Sequence, residues 1–125
     1  MADGKKNDKD SKIRIAVASS DGIVVNKHFG RTETFYIYDW DDEDLEQVEI
    51  REVTPVCEGG NHDEEKLIEN AKTISDCQYL LVARIGPGAS KVVESFGIEP
   101  MEIPGMILDV IEELIKYTKI QALFA

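Results

Sequence analysis

Short, densely apolar runs alternate along this chain with stretches whose apolar residues recur every three or four positions. Ile13-Arg14-Ile15-Ala16-Val17-Ala18 is mostly apolar and β-branched and is bounded by Ser19-Ser20-Asp21-Gly22, which predicts a central strand ending in a turn. Thr34 to Trp40, rich in aromatics, reads as a second strand, with Tyr36 and Tyr38 on one face. Asp41-Asp42-Glu43-Asp44 is a charged hairpin tip. Leu45 to Val53 has apolar residues broken by acids, the pattern of an edge strand guarded by charge, with an imperfect alternation that leaves room for a bulge. After a loop over Pro55 to Asn61, a helix is expected from Asn61 or His62, capped by Asn61 with Glu64 in the capping-box position. Its predicted apolar face is Leu67, Ile68, Ala71 and Ile74.

Tyr79 to Ala83 is a further buried strand. Gly86-Pro87-Gly88 then turns into a helix striped by Ala89, Val92, Val93 and Phe96 and stopped by Gly97. Ile98 to Ile103 carries Pro100, which cannot donate to a ladder, so this last strand belongs at an edge. A final helix presents Ile107, Val110, Ile111, Leu114 and Ile115 to the core. The order β-β-β-α-β-α-β-α predicts an antiparallel meander followed by right-handed parallel crossovers, in one α/β domain over 13–125. The polar residues 1–12 ahead of it read as a disordered leader.

The topology sends the glycine-bearing loops to the carboxyl edge of the parallel strands, where open α/β sheets bind ligands. His28, Cys57 and His62, all able to ligate metal, fall on that edge. So do Lys27, Arg31 and Arg84, together with the amino ends of two helices, which suit an anion. Gly30 and Gly86 leave room for a bulky group. Each feature also has a plainer reading: His28 as a turn cap, Gly86-Pro87-Gly88 as a strand-to-helix connection, Arg31 and Arg84 as partners of nearby acids. Cys57 and His62, five residues apart, match no closed zinc motif. Cys77 falls at the opposite end and reads as a small buried hydrophobe.

Charge narrows the classes of partner. Asp and Glu outnumber Lys and Arg 25 to 14, for a net charge of −11, which disfavours nucleic acid and anionic membrane surfaces. Two cysteines do not make a disulfide scaffold, and no apolar run reaches transmembrane length, so a cytoplasmic protein with reduced thiols is expected.

Residues 13 to 118 resemble the NifX/NafY family, also found as the C-terminal domain of NifB. The resemblance rests on Ile13 to Gly22, on Asn26-Lys27-His28-Phe29-Gly30-Arg31 and on Phe35-Tyr36-Ile37-Tyr38. Further matches are Cys57 with Gly60 and His62, Ile74-Ser75-Asp76-Cys77, and Ala83-Arg84-Ile85-Gly86. It implies a ribonuclease-H-like three-layer fold with a mixed five-stranded sheet, strand order 3-2-1-4-5, strand 2 antiparallel and about three helices. It also implies binding of the iron–molybdenum cofactor or a related iron–sulfur or molybdenum–sulfur cluster, with His28 as a contact and nitrogenase or cofactor-assembly proteins as partners. Nuclease chemistry would need carboxylates around two metals, one of them inside the first strand, and residues 13 to 18 contain no acid. The expectation is therefore a non-enzymatic carrier of a metal–sulfur cluster. The alternatives are a simple Zn²⁺ or Fe²⁺ module on Cys57, His62 and His28, or a regulatory or interaction domain without metal.

Overall fold

The computed structural model describes residues 12–58 and 61–124. At residues 57, 58, 61 and 62 the description is of the backbone alone. The expected leader lies outside the described residues except for Lys12, whose Nζ is 3.6 Å from the Asp39 carboxylate. Five strands form the central sheet: β1 (Ile13–Ala18), β3 (Thr34–Trp40), β4 (Leu45–Glu52), β7 (Tyr79–Val82) and β8 (Glu99–Glu102). Their spatial order is β4-β3-β1-β7-β8. β1 pairs antiparallel with β3 and β3 with β4, whereas β1, β7 and β8 run parallel. The sheet is therefore mixed, and β4 and β8 are its edges.

Strand alternation divides the core. Ala16 and Ala18 of β1 and Phe35 and Ile37 of β3 face one side, where they meet Leu67, Ala71, Val93 and Ile98. Those partners include residues of helices α1 (Glu64–Thr73) and α2 (Pro87–Ser95). Ile15, Val17 and Leu81 face the other side, against Ile107, Val110, Ile111 and Leu114 of α3 (Ile107–Leu123). Three helices thus cover both faces. No helix among the described residues is long and apolar enough to cross a membrane.

The expected bulge lies on β4: Ile37 is opposite Glu49 and Tyr38 opposite Gln47, so Val48 has no counterpart. Four expectations need correction. Helix α1 begins at Glu64, and its cap is Asp63, whose carboxylate accepts from Glu65 N at 3.0 Å and Lys66 N at 3.2 Å. Asn61 is instead used in β6 (Asn61–His62), which pairs with β5 (Cys57–Glu58), so the expected loop is a small hairpin. Ile68 is 45% exposed, because the buried stripe runs through Leu67, Asn70, Ala71 and Ile74 and Ile68 stands one position off it. Lastly, Gly97 does not join the other glycine loops. It follows α2 at the opposite edge, with φ +83°.

Candidate functional site at the carboxyl edge of the sheet

β1 and β7 end side by side, and the chain leaving β1 makes a structured turn. Ser19 Oγ accepts from Gly22 N at 2.9 Å, and Asp21 Oδ1 accepts from Ile23 N at 2.9 Å and Val24 N at 3.1 Å. Those two amides hold the Asp21 carboxyl below the usual carboxylate range. Gly22 is required here: its φ is +76°, and a Cβ would come within 2.9 Å of the Tyr36 ring. β2 (Val24–Val25) then pairs antiparallel with β9 (Gly105–Met106), tying this loop to the start of α3.

From there the chain runs beside the end of β7. Ala83 N donates to Lys27 O at 2.9 Å and Phe29 N donates to Arg84 O at 2.9 Å, so His28 and Arg84 form an isolated parallel bridge. Phe29 anchors the segment from below. It is fully buried, its ring 6.0 Å from that of Phe35 and tilted by 41°. With Phe29 buried, its neighbours His28 and Arg31 are left exposed, and Lys27 is half-buried. Residues Phe29–Arg31 form a 3-10 turn, but the His28 side chain does not cap it. The work is done by the His28 carbonyl, which accepts from Arg31 N at 3.0 Å and from the hydroxyl of buried Thr32 at 2.8 Å. The turn-cap role expected as an alternative for the imidazole is therefore not what holds it.

The remaining predicted residues lie around this point. β5 lies beside the 3-10 turn, bringing the backbone of Cys57 to the same edge as His28. Cys57 and His62 are register partners across the small hairpin, while Gly60 lies outside the described residues. Arg84 is exposed. Gly86 is also exposed and is the N-cap residue of α2, with Pro87 at the first helical position, no side-chain cap and no acid in the first turn. Among the described residues, no three His, Cys, Asp or Glu side chains gather to hold one metal ion. Among the described side chains, the edge offers the exposed His28 imidazole, the cations Lys27, Arg31 and Arg84, and a helix start with no side-chain cap. That combination suits a large anion with few, exchangeable ligands rather than a chelated single ion.

Cys77 is 3% exposed in the core beneath α1. Burial, with the Asp76 carboxylate adding to it, pushes its thiol up to about 12. Two features escaped the sequence. Thr32 supports the His28 carbonyl, and nothing in its sequence surroundings marks it. An ionic network also lies away from the site. Arg14 grips Asp39 through two bonds of 2.7 and 2.9 Å and reaches Asp76 at 2.8 Å, while Arg51 binds Asp76 at 2.7 Å and the Thr73 carbonyl at 2.8 Å.

Comparison with known proteins identifies relatives of the chain and of its fold. A family model described as dinitrogenase iron-molybdenum cofactor matches residues 11–117. FeMo cofactor biosynthesis protein NifB of Frankia alni is 34% identical over 105 residues, which is 82% of this chain and 21% of that protein. Protein NifX of Sinorhizobium fredii is 33% identical over 118 residues, covering 86% of this chain and 71% of that one. The chain thus spans about a fifth of the Frankia NifB and most of the Sinorhizobium NifX. A crystal structure of PH0822 has a TM-score of 0.65 at 29% identity, covering 83% of this chain and 90% of that chain. An NMR structure of the Thermotoga protein TM1290 has a TM-score of 0.59 at 20% identity over 83% of this chain and 88% of that one, a likeness of fold.

Proposed function

Because the chain belongs to the dinitrogenase iron-molybdenum cofactor family, we propose that it serves in the biosynthesis of that cofactor as a non-enzymatic carrier. Its cargo is an iron–molybdenum-type metal–sulfur cluster or a precursor, held at the carboxyl edge of the sheet. The observation that supports this most is the backbone bridge between His28 and Arg84, which sets two residues with exposed side chains side by side next to the buried ring of Phe29. The imidazole donates a lone pair to a metal of the cluster. Lys27, Arg31 and Arg84 offset its negative charge, and Gly30 and Gly86 let its bulk approach the backbone. Cys57 and His62 supply further donors from the hairpin beside the 3-10 turn. The mixed sheet is taken as a ribonuclease-H-like scaffold that lacks nuclease chemistry, since β1 brings no carboxylate. Cofactor-assembly proteins load the carrier and nitrogenase receives from it, in the cytoplasm.

Anaerobic titration of the full chain with the isolated iron–molybdenum cofactor, followed by visible absorbance, tests this. Saturable binding is expected, weakened about tenfold or more in His28→Ala and also weakened in Cys57→Ala. Undiminished binding by both variants would show that the ligands are misassigned, and no uptake by the parent would remove the carrier role. One observation favours a second function: Cys57 and His62, both able to ligate a metal ion, are backbone register partners across the small hairpin. Tight Zn²⁺ binding without any uptake of the cofactor would support that simpler module.

A further inference from the structure

We propose that Glu102 is an internal counter-anion that opposes the cargo at this edge and keeps it exchangeable, an inference that rests on the carrier role above. Glu102 is the last residue of β8, in register with Val82, where the parallel strands end. Its side chain is aimed at the neighbouring turn: Oε2 accepts from Ile85 N at 2.8 Å. Ile85 lies between Arg84, whose carbonyl accepts from Phe29 N, and Gly86, the cap residue of α2. A full negative charge therefore sits within a residue of the guanidinium-bearing position and the helix start that attract an anion. The cap residue brings no side-chain acceptor and the first turn no acid, so Glu102 supplies carboxylate charge at this turn from another element.

Two roles for this contact make opposite predictions. A residue that only holds the Arg84–Gly86 turn in place would, when altered, weaken binding. A counter-anion would, when neutralised, strengthen it. Two unit charges about 8 Å apart in near-surface solvent change affinity by about two- to fivefold. Such a residue lowers affinity and speeds release, both of which suit a protein that must hand its cargo on.

Glu102→Gln separates the two roles, because the amide oxygen can still accept from Ile85 N while the charge is gone. Glu102 is exposed, so the variant is expected to fold with an unchanged urea midpoint. The parent and Glu102→Gln are titrated anaerobically with the isolated iron–molybdenum cofactor at low salt and at 1 M salt. The variant should bind at least about twofold more tightly at low salt, release more slowly to a competing acceptor, and lose most of that gain at high salt. Equal or weaker binding by the variant overturns the proposal, as does a gain that persists at 1 M salt. A parent that takes up no cofactor removes the carrier role and this inference with it. A parent that binds while the variant does not improve removes the counter-anion alone.

Discussion

Truncating Phe29 to alanine tests how the exposed His28 is held. The ring is fully buried in the cluster that contains Ala18, Phe35, Val56 and Val82, and it contacts the Phe35 ring across 6.0 Å. Removing it forfeits both the transfer energy of the ring and the contacts its neighbours lose to a cavity. Phe→Ala changes at such sites cost about 3–5 kcal/mol, a large part of the ~5–15 kcal/mol that stabilises a small domain. With a urea slope of roughly 2 kcal/mol/M, the midpoint should fall by about 2 M with little change in slope. Trp40 is the sole tryptophan and is nearly buried, so its fluorescence reports the transition. His28→Ala, at an exposed neighbour, should move the midpoint by no more than about 0.5 kcal/mol equivalent. A loss below about 1 kcal/mol for Phe29→Ala, or an equally large loss for His28→Ala, would refute the idea that a buried aromatic fixes the turn and frees the imidazole for a ligand.

Three further outcomes follow from the contacts elsewhere. Asp63→Ala removes the acceptor for two helix-start amides and should cost about 1 kcal/mol by urea denaturation; no change would return the cap to another residue. Asp39 is held below the ordinary carboxylate range chiefly by its bonds to Arg14, and Asp76 chiefly by its bonds to Arg51. Both therefore bind fewer protons folded than unfolded. Their stabilisation is complete well above the unfolded value near 3.8 and is lost as pH falls below it toward the lower folded values, so the urea midpoint should drop as pH is lowered from about 4 toward 2 and the drop should be smaller in Asp76→Asn. A midpoint that rises on acidification would contradict the network. Buried Cys77, its thiol pushed up to about 12, should resist iodoacetamide at pH 8 in the folded protein and react only in urea, as mass spectrometry of the modified peptides would show.

Much of this architecture is legible because long apolar runs carry their own period. β1, β3, β7 and the core stripe of α3 are each long enough for alternation or a 3.6-residue repeat to show, and the parallel crossovers then send the His28, Cys57 and Arg84 loops to one edge. Two-residue ladders have no period, so the β2–β9 pairing and the Cys57–His62 hairpin leave no trace in the sequence. Asn61 and Asp63 are equally good caps on chemistry alone, and the hairpin, which claims Asn61, decides between them. The Arg14, Asp39, Asp76 and Arg51 network joins residues 25 and 62 positions apart, and only strand register brings them together. Glu102 was hidden for the same reason: its partner Ile85 lies 17 residues away across the β7–β8 pairing.

The most direct measurement is anomalous diffraction at the iron and molybdenum edges from crystals of this protein loaded anaerobically with the isolated iron–molybdenum cofactor. The carrier role predicts a peak within bonding distance of the His28 imidazole, bordered by Arg84, and no such peak in His28→Ala. Density for the metals on the α3 face or at the Gly97 end, with the carboxyl edge empty, would contradict it.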